Sequence, residues 1–259
     1  MSHPMGPWAE SATRRTDASR SLAEAAQQAL RQWRMPADLK EARNLQWTLA
    51  RRVRTEDGPT QWRWVLGLDS AFVEGGRRIV AGAVLWDAAQ RTTVRRWVAV
   101  ADVEFPYVPG FLSFRETPGY LRVMTQVDHP VDVLLVDGQG TAHPRGFGIA
   151  CHIGVLLDWP SVGVGKSRLF GRHEAPALNA GQWVPLWHPR TGAVIGAVLT
   201  TRPRTRPVYV SPGHRVSLER AVAIVLDCCD GYRLPEPQRQ ADQWVKRMRK
   251  QVWTIDHGP

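Results

Sequence analysis

Three acidic residues stand where a free carboxylate is expensive. Asp69 interrupts the apolar run WVLGLDSAFV, Asp137 closes VDVLLVD, and Glu116 follows the aromatic stretch FLSFR. A buried carboxylate is costly unless it is paired or faces a cation. Carboxylate oxygens suit Mg²⁺ or Mn²⁺, whereas Cys151, Cys228 and Cys229 lack the spacing of a softer metal site. Acids on a first strand, on a later parallel strand and beside a connecting helix can assemble a one- or two-metal site for phosphodiester hydrolysis. Lys166 closes another apolar run, PSVGVGK, and His143 lies six residues past Asp137, within reach of the same edge. His214 sits in VSPGHRVS, at a helix entry. Plainer alternatives exist: a turn cap for Asp69, a dipole partner for Glu116, a loop ammonium for Lys166, a surface or hydrogen-bonded structural place for His143, and a capping or packing role for His214.

For these side chains to meet, particular elements must hold them. Residues 64–73, 78–86 and 92–100 read as an antiparallel meander, with Gly75–Gly76 and 87–90 as turns. VDVLLVD (131–137) is apolar enough to be buried on both faces, a helix follows within 145–157, and 160–166 is a second buried strand. That order implies a parallel pair, so Asp137 and Lys166 leave the same sheet edge, where open α/β sheets bind ligands. Further strands are expected at 182–187, 193–200 and 206–210, and a helix from Ser217 into Cys228. Thr117–Pro118 predicts a helix start just after Glu116, running to about Val127. Pro36 with Leu39, Ala42, Leu45, Leu49 and Val53 predicts an earlier helix, broken by DGP at 57–59. Asp17 or Ser19 would cap a shorter Ala-rich helix. The expected architecture is one α/β domain over 36–250, a mixed sheet with an antiparallel meander followed by parallel strands, flanked by helices. An extension over 1–35, loose at 1–16 and flexible or partly helical beyond, precedes it, and a tail over 251–259 follows.

Pro106 and Pro109 stiffen the backbone around Tyr107 in EFPYVPGFLSFRE, which reads as a rigid loop displaying an aromatic ring. The chain has 34 Lys and Arg against 24 Asp and Glu, a formal +10 over 259 residues. That balance suits a polyanionic partner, nucleic acid first. Three cysteines make no disulfide framework, no apolar run reaches membrane length, and the N-terminus lacks a signal-peptide core. A cytoplasmic protein is expected.

The runs GLDSAF, FPYVPGFLSFRE, LLVDGQGTAHPRGFGIACHIG, VGVGKSRL, SPGHRVS and GYRLPEPQRQAD resemble endonuclease V, a repair nuclease of deaminated adenine, from about residue 38 to about 248. The resemblance implies an RNase H-like fold. It implies hydrolysis of the second phosphodiester bond 3′ to inosine, leaving 3′-hydroxyl and 5′-phosphate ends, with Mg²⁺ or Mn²⁺ as cofactor. It implies a monomer acting on inosine-containing DNA, with RNA as the alternative. Asp69, Glu116 and Asp137 would be the metal-binding acids, His143 and Lys166 would lie by the scissile phosphate, and His214 would be accessory. Tyr107 would be the strand-separating wedge, with Pro106, Val108, Pro109, Gly110, Leu112 and Gly138 as further substrate contacts. A backbone carbonyl and N–H within 110–112 would read hypoxanthine. Gln139 stands where relatives often show His or Asn, and Gly165 where Ala is common. Two rival readings are an RNase H-like nuclease of RNA or branched DNA, opposed by the PYVP loop, and a non-catalytic inosine reader, opposed by the three acids.

Overall fold

A computed structural model describes residues 20–56 and 58–257, with side chains up to Gln251. Its centre is a single eight-stranded sheet. The strands are β1 (Trp64–Val73), β2 (Arg78–Asp87), β3 (Thr92–Asp102), β4 (Val133–Asp137), β5 (Ser161–Gly165), β6 (Trp183–Trp187), β7 (Val194–Leu199) and β8 (Val208–His214). They lie in the order β3-β2-β1-β4-β5-β8-β7-β6. The first three form the antiparallel meander, and β1, β4 and β5 run parallel to one another. β8 then returns antiparallel to β5.

The alternation along β4 shows why the sheet is covered on both faces. Leu134 and Val136 pack with Leu66 and Leu68 beneath the helices α1 (Leu22–Gln32), α3 (Leu112–Met124) and α4 (Ile149–Leu157). Val133 and Leu135 point the other way, with Val162, Val164 and α5 (Leu218–Asp227). The long helix α6 (Glu236–His257) crosses β1 and β2, where Gly67 and Gly82 leave room for it. A Cβ on Gly82 would lie 2.5 Å from Val245 Cγ2, and one on Gly67 would overlap the Pro237 backbone. The sequence reading did not anticipate α6, and the expected 250/251 boundary falls inside it.

Several expected boundaries shift. Residues 1–16, Asp17 and Ser19 lie outside the described residues, and Ser21 caps α1 in a reciprocal capping box with Glu24. α1 docks through Leu22, Ala25, Ala26 and Ala29, and Arg20 donates to the Leu157 carbonyl at 2.7 Å. Helix α2 (Leu39–Ala50) is capped by Asp38, so Pro36 precedes the cap, and the helix ends well before DGP. α3 starts five residues earlier than Thr117, placing Glu116 in mid-helix and Pro118 inside it. An interior proline costs about 3 kcal/mol or more. Phe114, Tyr120, Leu121, Val123 and Met124 on the same helix are all almost fully buried. At about 1.5–3 kcal/mol each, that burial outweighs the proline.

Candidate active site

The parallel register brings the first two acids together. Leu68 lies opposite Val136, so the next residues, Asp69 in the middle of β1 and Asp137 at the carboxyl end of β4, stand side by side where the parallel pairing stops. Asp137 in turn faces Val164, and Lys166 follows just beyond the end of β5. The Lys166 ammonium donates to Asp137 Oδ2 at 2.7 Å, to Asp69 Oδ2 at 3.3 Å and to Asp242 Oδ1 at 3.2 Å. Glu116 enters from α3 and is buried, its charge supported by the hydroxyls of Ser70 and Tyr120.

Helix α6 adds two residues that the sequence reading missed. Asp242 bonds Lys166 and accepts from Lys246 at 2.6 Å. Four positions earlier, Gln238 donates to Asp137 Oδ1 at 2.8 Å and to the Val164 carbonyl at 2.9 Å, fixing the carboxylate plane. The run PEPQRQAD contained both, but nothing local says which helix face meets the sheet.

The electrostatics follow from three carboxylates sharing one lysine, with Glu116 buried beside two of them. Burial, then the charge of Asp137, pushes the Asp69 carboxyl up to about 8. Burial, then Asp137 and Asp69, does the same to Glu116, also to about 8. Burial opposes the Lys166 charge, but Asp137 and Asp69 outweigh it and the pKa rises. Burial likewise opposes the Asp242 charge, but Lys246 and Lys166 prevail and its pKa falls. An all-oxygen donor set whose mutual repulsion one lysine offsets only in part fits a hard divalent cation. Among the described residues, no three ligating side chains are gathered closely enough to form a ready-made cage.

The two histidines part company. His143 is buried beside the Tyr107 loop: its Nε2 donates to the Gly110 carbonyl at 3.1 Å, and its Nδ1 accepts the Arg145 backbone N–H at 3.2 Å. Burial, then the Arg145 charge, depresses its pKa to about 4. His214 corrects an expectation. β8 is antiparallel to β5, so its last residue pairs with Ser161, at the opposite end of β5 from Lys166. A five-residue strand separates those ends by about 16 Å. There His214 Nε2 meets Asp158 Oδ1 at 3.0 Å, and its Nδ1 accepts from Arg54 N at 3.3 Å.

Tyr107 is 72% exposed at the tip of the proline loop, between exposed Pro106 and Pro109. The base is anchored by Phe105, Phe111 and Phe114, with ring centroids 5.4–6.4 Å apart and Val108 packed against them. Leu112 opens α3, partly exposed. Gly138, at φ +139°, turns the chain after Asp137 and abuts Ile149. Gln139 and Gly165 touch each other. Gln139 Nε2 donates to the Ser167 carbonyl at 3.0 Å, and a Cβ on Gly165 would overlap that amide.

The family model for endonuclease V matches residues 47–243. The endonuclease V of Geotalea uraniireducens is 46% identical over 215 residues, covering 83% of this chain and 90% of its own. The crystal structure of endonuclease V from Streptomyces avermitilis superposes with a TM-score of 0.79 at 40% identity, over 84% of this chain and 96% of its own. The fold also matches that of the Ciona intestinalis endonuclease V, with a TM-score of 0.72 at 23% identity over 83% of this chain and 98% of the other. That protein was crystallised with a 24mer DNA containing an inosine followed by a ribo-adenosine.

Proposed function

The chain belongs to the endonuclease V family, and from that premise we propose that it cuts nucleic acid beside deaminated adenine. Membership makes it an endonuclease acting on phosphodiester bonds. The proposed substrate is inosine-containing DNA, of the kind bound by the Ciona intestinalis protein. The proposed cut is the second phosphodiester bond 3′ to the inosine, leaving 3′-hydroxyl and 5′-phosphate ends. The observation that carries this reading is the meeting of Asp69, Asp137 and Lys166 at one sheet edge, with Tyr107 displayed on a loop whose Gly110 carbonyl is bonded by the segment that follows Asp137.

Asp69, Glu116 and Asp137 would hold Mg²⁺ or Mn²⁺, with Asp242 near by. Such an ion, when bound, supplies Lewis acidity toward the scissile phosphate. Lys166 is poised to pass its charge from the carboxylates to the phosphate as negative charge develops there. Gln238 keeps Asp137 oriented throughout. Tyr107 would insert at the lesion: stacking on a base is worth about 1–3 kcal/mol. Extracting a nucleotide costs a few kcal/mol, least for a mispaired base, so stacking offsets part of it. The flanking prolines limit the loop entropy lost.

The test is a cleavage map. Single-stranded and duplex DNA and RNA oligonucleotides, each with one inosine, are incubated with Mg²⁺ and the wild-type or Asp137→Ala protein. Cleavage one nucleotide beyond the inosine's own 3′ bond, lost in the variant and in EDTA, is expected. Cuts indifferent to inosine, or tight inosine binding with no cut, would overturn the reading.

A further inference from the structure

The Gly110 carbonyl, at the foot of the Tyr107 loop, accepts hydrogen bonds from three side chains of two other segments. Gln46 Nε2 of α2 reaches it at 3.0 Å, Arg145 Nη2 at 2.5 Å and His143 Nε2 at 3.1 Å. The donors are themselves joined: Arg145 Nε donates to Gln46 Oε1 at 2.5 Å, and the Arg145 guanidinium lies 4.3 Å over the Phe111 ring. Gly110 has φ +80°, and a Cβ there would lie 2.8 Å from Arg145 Nη2, so glycine is required both for the turn and for the approach. An oxygen with two lone pairs and three donors has no capacity left for a substrate.

Building on the proposed function, we infer that His143 is a positioning residue: with Gln46 and Arg145 it clamps the Gly110 carbonyl and fixes the Tyr107 loop relative to the carboxylate edge. The chain connectivity gives the clamp its purpose. His143 and Arg145 lie on the segment that leaves β4 at Asp137, so the loop is tied to the strand end that carries a catalytic acid. Within the loop, the bonds to Val108 and Phe105 carbonyls hold only its base: Phe111 N–H donates to the first at 3.0 Å and Arg115 Nη1 to the second at 2.9 Å. Because the Arg145 N–H donates to Nδ1, the His143 proton sits on Nε2 and points at Gly110. Both ring nitrogens are thus engaged, which leaves no site for proton transfer to a phosphate ester. The Gly110 carbonyl is likewise excluded as a reader of hypoxanthine, so any backbone reading within 110–112 falls to its remaining groups.

The variants that decide are His143→Ala, His143→Gln and Gln46→Leu in the full chain. Glutamine places an Nε2–H near the imidazole one but cannot act as an acid or base near neutral pH. Hydrogen exchange over 105–112 in the free protein should quicken about tenfold in His143→Ala and in Gln46→Leu, and return toward wild type in His143→Gln. KM for an inosine duplex should rise about tenfold in His143→Ala while kcat changes less than threefold. The kcat–pH profile of His143→Gln should overlay that of wild type between pH 6 and 8. Loop exchange unchanged in His143→Ala, or kcat lost equally in both His143 variants, would overturn the clamp. A wild-type protein indifferent to inosine would instead sink the proposed substrate, and the exchange rates would still judge the clamp.

Discussion

The two ends of the parallel strands carry the same residue types to opposite effect. At the carboxyl-end edge, Asp69, Asp137 and Asp242 hold Lys166 with Glu116 buried beside the first two, and burial with mutual repulsion lifts Asp69 and Glu116 to about 8. At the amino end of β5, a single acid, Asp158, meets Arg54 at 2.6 Å, His214 at 3.0 Å and Arg215 at 3.7 Å. The hydrogen bond from His214, with the two arginines, draws the Asp158 pKa down to about 2 against its partial burial. One end has acids in surplus, three of them sharing a single lysine. The other is satisfied as it stands. A histidine beside the second group is therefore structural, however chemical it looks in sequence.

The largest expected contrast comes from removing one acid at each end. Asp137→Ala should lower cleavage by about 10³-fold or more while retaining inosine-duplex binding, since it removes a negative charge facing phosphate. Asp158→Asn should leave cleavage near wild type and lower the melting temperature. Its side chain is 39% exposed, so the stability lost is about 1 kcal/mol after solvent screening. Kinetics and thermal melts on both variants measure the contrast, and a dead but well-folded Asp158→Asn would break it.

Next in size is the share of α6. Gln238→Leu removes the donor that orients Asp137 without touching the acids. Outer-shell partners of this kind are worth about 10–100-fold in activity or metal affinity. A fall in that range, with a weaker Mg²⁺ dependence, would place α6 inside the machinery; an unchanged Mg²⁺ titration would reduce it to packing.

These contrasts also mark what one sequence could disclose. Asp137 and Lys166 were legible because apolar runs ending in a charge imply strand ends, and a parallel crossover aligns those ends, while Asp69 stood out as a lone carboxylate inside an apolar strand. Glu116 was found for its type, but Thr117–Pro118 mimicked a helix start and hid α3's true beginning. Gln238 and Asp242 were hidden because their role depends on α6 settling onto Gly67 and Gly82, about 160 residues away in the chain. His214 was assigned from its motif alone, and only strand direction shows that it faces the wrong end.

A smaller effect tests the contact between Gly165 and Gln139. Gly165→Ala forces a methyl into the Gln139 amide beside Lys166, and overpacking of this sort costs about 1–3 kcal/mol. Shortening the partner in Gly165→Ala/Gln139→Asn should recover most of that stability, measured as a double-mutant cycle in denaturant. Purely additive effects would mean the two positions are independent.

The metal-free acids predict a pH dependence of opposite sign at the two ends. Asp69 and Glu116 have folded pKa values raised to about 8. Their contribution is therefore fully present below about pH 4 and is lost as pH rises through about 8. Asp158, depressed to about 2, contributes above about pH 4 and is lost only as pH falls through about 2. Mg²⁺ should accordingly raise the melting temperature more at pH 8 than at pH 6, by a few degrees. Equal shifts at both values would mean that the acids do not carry the repulsion inferred for them.

The smallest expected change in cleavage is the sharpest check on the comparison. His214→Asn removes the Nε2 contact to Asp158 while leaving the acids at the other end of the parallel strands untouched. Cleavage should stay within about twofold of wild type. The imidazole's pKa is lowered, chiefly by burial, so the folded state favours its neutral form. That preference lowers stability as pH falls below about 6.5, where the unfolded histidine takes up a proton. Asparagine cannot take up that proton, so the variant's loss of melting temperature should be greatest near pH 8 and shrink toward pH 5. A tenfold loss of kcat in a variant that melts normally would show that the two ends of the sheet communicate, and would return His214 to the catalytic apparatus.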